Sequence, residues 1–250
     1  MKRLIEILRG FDKQREKMRK EPNWNESAVA ECFKPCAQDI LLGGYFLVNK
    51  RFIIDLGCIE LYYHEEDKND ERGKIKDPIM YHTNDHSQYS RYYKGIGKYP
   101  YFKFGSFNLH QTGVDVTFEN PEKEYRASFL IRSYRIIDKC CYEKIEDIVE
   151  ELNNPEFPKY NPHSTQIFDD MFPLGIFFGE NDEVKIEWVY YRKRGERDND
   201  IEVCNRVNVP EYKKDEKGEY VKEKKQYEKI KGTKEERKWG FKRIGIKEYK

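Results

Sequence analysis

A single carboxylate stands in the middle of an apolar and aromatic run, Gly57-Cys-Ile-Glu-Leu-Tyr-Tyr63, and no other feature restricts the fold so tightly. Such a run reads as a strand inside a sheet, where a bare charge costs several kcal/mol unless it is paired, hydrogen-bonded or put to use. Alternation sends Cys58, Glu60 and Tyr62 to one face and Ile59, Leu61 and Tyr63 to the other, so an acid and an aromatic ring share a wall. Either Glu60 serves chemistry on a flat substrate, or it closes a structural bridge with a nearby Arg.

The 250 residues can fill one substantial core, or a main domain with a small appendage. With 37% charged residues and a mean hydropathy of -0.98, no window approaches the roughly 18 consecutive apolar residues of a membrane span. Charges also occupy the N-terminus, where a signal peptide has its apolar stretch. The expectation is a cytoplasmic protein without membrane contact. Aromatic residues make up 15% of the chain, more rings than a core alone uses, which favours stacking on bases or sugars. The six cysteines, at 32, 36, 58, 140, 141 and 204, form no spaced Cys/His set of the zinc type. Reduced, mostly buried thiols are expected and no metal is assigned; Cys32 and Cys36, at helical spacing, would need a distant His to make a site.

The net charge of +1 is uneven: residues 1–22 hold 8 Lys and Arg against 4 Asp and Glu, and residues 191–250 hold 20 against 13. This permits a basic face toward phosphates, yet falls short of the excess carried by a strong non-specific DNA binder.

Leu4, Ile7, Leu8 and Phe11 follow helical spacing, so residues 1–22 read as a basic amphipathic helix appended to a domain over 23–250, with an apolar stripe available to a dimer. A second helix is expected from Ser27, interrupted near Pro35 and stopped at Gly43-Gly44. Short strands at residues 45–48 and 52–55, joined by a turn at Asn49 to Arg51, precede the Glu60 strand. Residues 64–106 read as a functional loop region, residues 107–118 and 125–137 as two longer antiparallel strands. Helices over 141–152 and 164–171, strands over 184–190, 201–209 and 240–246, and a charged excursion over 211–238 complete the chain. The fold class is α+β: a single domain on a curved, mostly antiparallel sheet flanked by helices.

In the 125–137 strand, Leu130, Arg132 and Tyr134 share a face, so Arg132 is a second embedded charge that needs a carboxylate or phosphate. His110 and Asp115 differ in parity and point oppositely unless Gly113 marks a bulge that brings both inward; ordinary strand polarity is the alternative for both, and an exposed loop position for His82.

Taken in order, these pieces resemble the alkyladenine (3-methyladenine) DNA glycosylase family, the mammalian type, over about residues 36 to 246. Ala37-Gln-Asp-Ile-Leu-Leu-Gly-Gly-Tyr-Phe-Leu-Val is similar to the family's opening Ala-x-x-Leu-Leu-Gly-x-x-Leu-Val, and Ile59-Glu60-Leu-Tyr62 to its catalytic Glu-Ala-Tyr strand. Asp77-Pro-Ile-Met-Tyr-His82 resembles its acid-to-His turn, and Gly105 to Phe118 its Gly-x-Leu-Tyr hairpin. Phe129-Leu-Ile-Arg132 resembles its Leu-Leu-Arg strand, and Arg206-Val-Asn-Val209 and Lys238-Trp-Gly-Phe-Lys-Arg243 its closing strands. Two positions depart: the tyrosine that wedges into the DNA stack falls at Thr112, and the base-pocket asparagine near Glu119. Tyr92, Tyr93, Tyr99 and Tyr101 are the rings nearest in sequence to the missing wedge.

The resemblance implies hydrolysis of the N-glycosidic bond of a damaged or modified base flipped from DNA, single- or double-stranded. Glu60 would activate water, Arg132 would orient that water or hold Glu60 ionised, and Tyr62 and His82 would sandwich the base, with His110 and Asp115 beside it. A water nucleophile needs no Schiff-base lysine or metal, so no cofactor is implied. A non-catalytic nucleic-acid or protein-binding module on the same scaffold, and a hydrolase of free modified nucleosides, remain the alternatives.

Overall fold

The computed structural model describes residues 1–66, 75–80, 83, 100–110, 113–154, 185–190, 201–207, 209–217, 219–223 and 226–244, with the backbone alone for Leu109, His110 and Gln226. The chain is α+β, built on a curled antiparallel sheet of eight strands with helices against it. In chain order the elements are α1 (Lys2–Met18), α2 (Glu26–Leu42), β1 (Gly44–Val48), β2 (Phe52–Glu65), β3 (Ser106–His110), β4 (Gly113–Thr117), β5 (Tyr125–Asp138), α3 (Ile145–Asn153), β6 (Ile186–Tyr190) and β7 (Ile201–Cys204). The short strands β8 (Lys222–Glu223) and β9 (Gln226–Tyr227) form a separate ribbon before β10 (Gly240–Arg243).

Everything is arranged around β2. One edge pairs with β5 along the whole strand; the other pairs first with β1 and then with β10, which carries β7 on its far side. The order β3-β4-β5-β2-β1-β6 completes the sheet. The expected separate runs at 52–55 and around Glu60 are thus one strand of 14 residues. Gly57 is absorbed where the β2–β5 register shifts between Leu56 and Cys58, a bulge that a residue without a side chain accommodates readily. The turn before β2 has positive φ at Asn49 and Lys50, the backbone of a type I′ hairpin, which asparagine tolerates.

α1 and α2 cover one face of the sheet. Leu4, Leu8 and Phe11 of α1 and Val29, Phe33, Ala37 and Ile40 of α2 share a core with Ile54, Leu56, Ile59, Leu61 and Tyr63 of β2. The apolar stripe of α1 is therefore buried in the main core, and the helix is a layer of the domain rather than an appendage with a surface for dimerisation. Each large side chain so buried contributes about 1.5–3 kcal/mol by removal from water. α2 begins at Asn25, whose side chain accepts from the Ala28 N–H at 3.0 Å, and runs unbroken through Pro35 to Leu42, so the expected interruption is absent. Packing on the core outweighs the hydrogen bond lost at a single proline.

Residues 107–118 are not one strand. They form the hairpin β3–β4, in which His110 pairs with Gly113 at φ 149°. Around α3 the chain makes a short 3-10 turn, Lys139–Cys141, before the helix starts at Ile145. The excursion over 211–238 is ordered wherever it is described: bridges join Tyr212 to Lys229 and Lys214 to Tyr220, and the rings of Tyr212, Tyr220 and Tyr227 meet edge to face. The expected helix over 164–171 lies outside the described residues. No described helix is long and apolar enough to cross a membrane.

Candidate active site

The second face of the sheet holds the charges. Along β2 it presents Ile53, Asp55, Cys58, Glu60, Tyr62 and His64. Asp55 and Glu60 differ in parity and share this face only because the bulge at Gly57 inverts the alternation. The same irregularity acts on β5. Ser133 pairs with Cys58 and Ile131 with Ile59, so Arg132 falls between register pairs and stays on the polar face with Leu130, whereas Tyr134 packs against the main core. The expectation that Tyr134 would share the face of Arg132 is corrected by that shift.

Glu60 is 1% exposed and is held from three directions. Arg132 Nη2 donates to its Oε2 at 2.7 Å, the Tyr62 hydroxyl donates to the same oxygen at 3.1 Å, and the backbone N–H of Val207 donates to Oε1 at 2.7 Å. Arg132 Nη2 also lies 3.3 Å from the Tyr62 hydroxyl, so acid, guanidinium and phenol form a closed triangle. Burial pushes the Tyr62 phenol well above its ordinary pKa, with Glu60 adding to the effect, so the hydroxyl remains a donor. Charge-assisted bonds of this kind are roughly twice as strong as neutral ones and fix the carboxylate plane.

Opposite Glu60 on β10 stands Gly240. A Cβ there would lie 2.7 Å from Cys204 Sγ and 2.9 Å from the Asn205 carbonyl, so only glycine lets β7 and the segment after it close over this part of the sheet. That segment brings Val207 to Glu60. Its neighbour Arg206 is buried and donates to Asp77 through Nη1 at 2.5 Å, to Glu235 through Nε and Nη2 at 2.8 Å each, and to the Leu61 carbonyl at 3.3 Å. Its guanidinium lies 4.7 Å from the centroid of the Tyr62 ring and 5.1 Å from that of Trp239. Arg237 pairs with Glu235 and donates to the Lys76 carbonyl. One buried cation thus ties the segment over 75–80 and the charged excursion to the Glu60 strand. Burial pushes the Asp77 carboxyl up, but Arg206 and Arg237 outweigh it and hold the group below its usual range. The short-range pattern gives no sign of this hub, because the partners of Arg206 lie 129 and 29 residues away; the one local signal is a single Arg at the end of an apolar strand.

The expected site residues are only partly brought together. Glu60, Tyr62 and Arg132 touch, as described. Asp115, on β4, is buried, faces Leu130 across the β4–β5 ladder and thereby stands in one cross-strand row with Glu60. Its charge also acts on Tyr62. His110 is not related to Asp115 by a bulge within one strand; the two belong to different arms of the hairpin, and Asp115 pairs with Asn108. His82, Thr112, Tyr92, Tyr93 and Tyr99 lie outside the described residues. Tyr101 donates to Glu66 at 2.8 Å and stacks against Arg126 at 4.0 Å, and Glu119 accepts from Arg126 and from the Phe102 N–H, so these two residues tie down the loop before β3. Tyr62 is 7% exposed: Arg206 covers a face of its ring, and it packs with Met80 and Leu130.

Other carboxylates on the polar face are also paired: Asp55 with Arg135 at 2.8 Å and with Arg243, Glu66 with Arg126 at 2.7 Å. Among the described residues no group of three or more His, Cys, Asp or Glu side chains is placed to hold a metal ion. No disulfide joins the cysteines; Cys32, Cys36 and Cys58 are buried, but Cys140 and Cys141 are exposed, against the expectation of mostly buried thiols. No protein-family model, curated protein or solved structure matches the chain.

Proposed function

We propose that the protein hydrolyses the N-glycosidic bond of a damaged or modified base turned out of DNA, with Glu60 as general base and Arg132 as its orienting partner. The observation that carries the reading is the convergence on one carboxylate of three segments that the sequence associates with such an enzyme. These are the strand of Glu60 and Tyr62, the strand of Arg132, and the Arg206-Val207 turn. A general base works only if its lone pairs are aimed, and the Arg132 guanidinium and the Val207 N–H aim both oxygens of Glu60. A positioned base contributes roughly 10²–10⁴ in rate, the remainder coming from stabilisation of the charge that develops on the sugar and the leaving base. In this reading Asp115, on the same row, would meet the base edge, and the excision product is an abasic site.

A second reading, a non-catalytic binding module on the same scaffold, is favoured by one observation. The donors to Glu60 all come from the protein, and Tyr62 already carries Arg206 against its ring. The two readings separate on incubating the chain with duplexes and single strands containing alkylated, deaminated and hypermodified bases. Abasic product from any of them supports the enzyme; tight association without product from all of them supports the module.

A further inference from the structure

We propose that the outer face of α1 is a docking surface for duplex DNA, on the side of the sheet away from Glu60. Lys2, Arg9, Lys13 and Lys17 of the helix, with Lys20 in the turn that follows, are all exposed. Offsets of 7, 11 and 15 residues from Lys2 keep the four helical cations within about 80° of the helix circumference, over roughly 22 Å of axis, with Lys20 in the turn beyond. Leu4, Leu8, Phe11 and Arg15 point the other way, into the domain.

The acids on this outer face are already engaged: Glu6 pairs with Arg3 at 2.9 Å and Glu16 with Lys123 at 3.0 Å. None of the five cations forms an ion pair with a described residue. That contrasts with the interior, where Arg15, Arg126, Arg132, Arg135, Arg206 and Arg243 each meet a carboxylate. Among the described residues, α1 therefore carries a line of cations that are not locked into ion pairs, on one rigid element.

The chemistry of the line selects its occupant. An anionic membrane surface would draw the cations but gain nothing by insertion, because the apolar side of α1 is spent on the core. A flexible acidic peptide or a single strand would have to be ordered along the helix at an entropic cost. A DNA duplex is stiff over this length and carries about one charge per 1.7 Å, so it meets the line without being ordered first. Because α1 packs on the face of the sheet opposite Glu60, the duplex it holds is a second segment, which retains the protein on DNA without presenting a base to the acid. The surface stands independently of the chemistry assigned to Glu60.

Fluorescence anisotropy with a labelled duplex of unmodified sequence, across a range of salt, tests this. The combined Arg9→Gln, Lys13→Gln, Lys17→Gln variant is expected to bind more weakly at low salt, with its dependence of log affinity on log salt reduced by about 0.9 per removed cation. Lys229→Gln, Lys231→Gln, Lys234→Gln, which removes the same charge from the excursion, is expected to match the unmodified chain. Thermal unfolding checks that all variants are folded. An unchanged slope in the α1 variant, an equal loss in the excursion variant, or binding to phosphatidylserine vesicles but not to the duplex would overturn the proposal. Loss of the α1 slope without any base release would leave it standing while the glycosylase reading fell.

Discussion

Arg132 reaches Glu60 at 2.7 Å although the β2–β5 ladder sets Leu130, not Arg132, opposite the acid. Arg132 lies two residues beyond Leu130 on the same face of β5, so it reaches the acid as a diagonal cross-strand neighbour. Each is buried, so each depends on the other.

Removing only the cation should therefore be costly. Arg132→Met is expected to lower stability by about 3–5 kcal/mol, the range for leaving one member of a buried pair uncompensated. Arg132→Lys should fall between, since an ammonium supplies the charge without the planar fork. Urea unfolding midpoints read both, and a Met variant as stable as the unmodified chain would mean that the triangle contributes nothing.

Arg206 offers a stronger case, because two carboxylates and a backbone carbonyl depend on it. Arg206→Met is expected to destabilise by at least as much as Arg132→Met. Arg51→Ala, which removes a solvent-exposed pair with Asp138, should leave the midpoint within experimental error. Equal effects of the two substitutions would contradict the burial of the hub.

The Asp77 carboxyl gives the pH dependence a sign. Its folded pKa lies below the unfolded value of about 3.9. Its contribution is fully present above that value and disappears as the pH falls through the folded one. The stability difference between the unmodified chain and Asp77→Asn should hold steady from neutral pH down to about 4 and shrink below it. A difference that stays constant through the acid range, read from denaturant melts, would show that Asp77 is not ionised against Arg206.

At Gly113 the backbone φ of 149° and a space in which a Cβ would lie 2.8 Å from Leu130 Cδ1 both require glycine. Gly113→Ala is expected to cost about 1–3 kcal/mol through strain and overpacking beside the Glu60 row. Gly232→Ala, at φ 78° but with open space around it, should cost only the backbone part, about 1 kcal/mol. Thermal melts that rank the two in reverse order would contradict the hairpin geometry.

Elements governed by local pattern were legible in the chain itself. The helical spacing of Leu4, Ile7, Leu8 and Phe11, the turn at Asn49, and the alternation that sends Glu60 and Tyr62 one way and Tyr63 the other all reappear in the fold. Pro35 misled because a proline weakens an isolated helix, whereas tertiary contacts carry α2 through it. The cost of burying either charge alone called for a partner to each, and the family resemblance, not spacing, paired Arg132 with Glu60. The Arg206 hub was not legible in this way, because nothing near residue 206 marks Asp77 or Glu235 as its partners. A bulge at Gly113 was one of two readings of a single strand, but the residue opens the second arm of a hairpin, a distinction that depends on which strand pairs with which.

The central claim is that Glu60 activates water at a base turned out of DNA, and Glu60→Gln tests it most directly because the amide keeps the size of the side chain while removing its basicity. The measurement is the single-turnover rate of abasic-site formation on whichever modified duplex the unmodified chain processes, with duplex affinity followed in parallel. The account predicts a rate lower by roughly 10²–10⁴ at unchanged affinity. Base release by the Gln variant at the rate of the unmodified chain would contradict it.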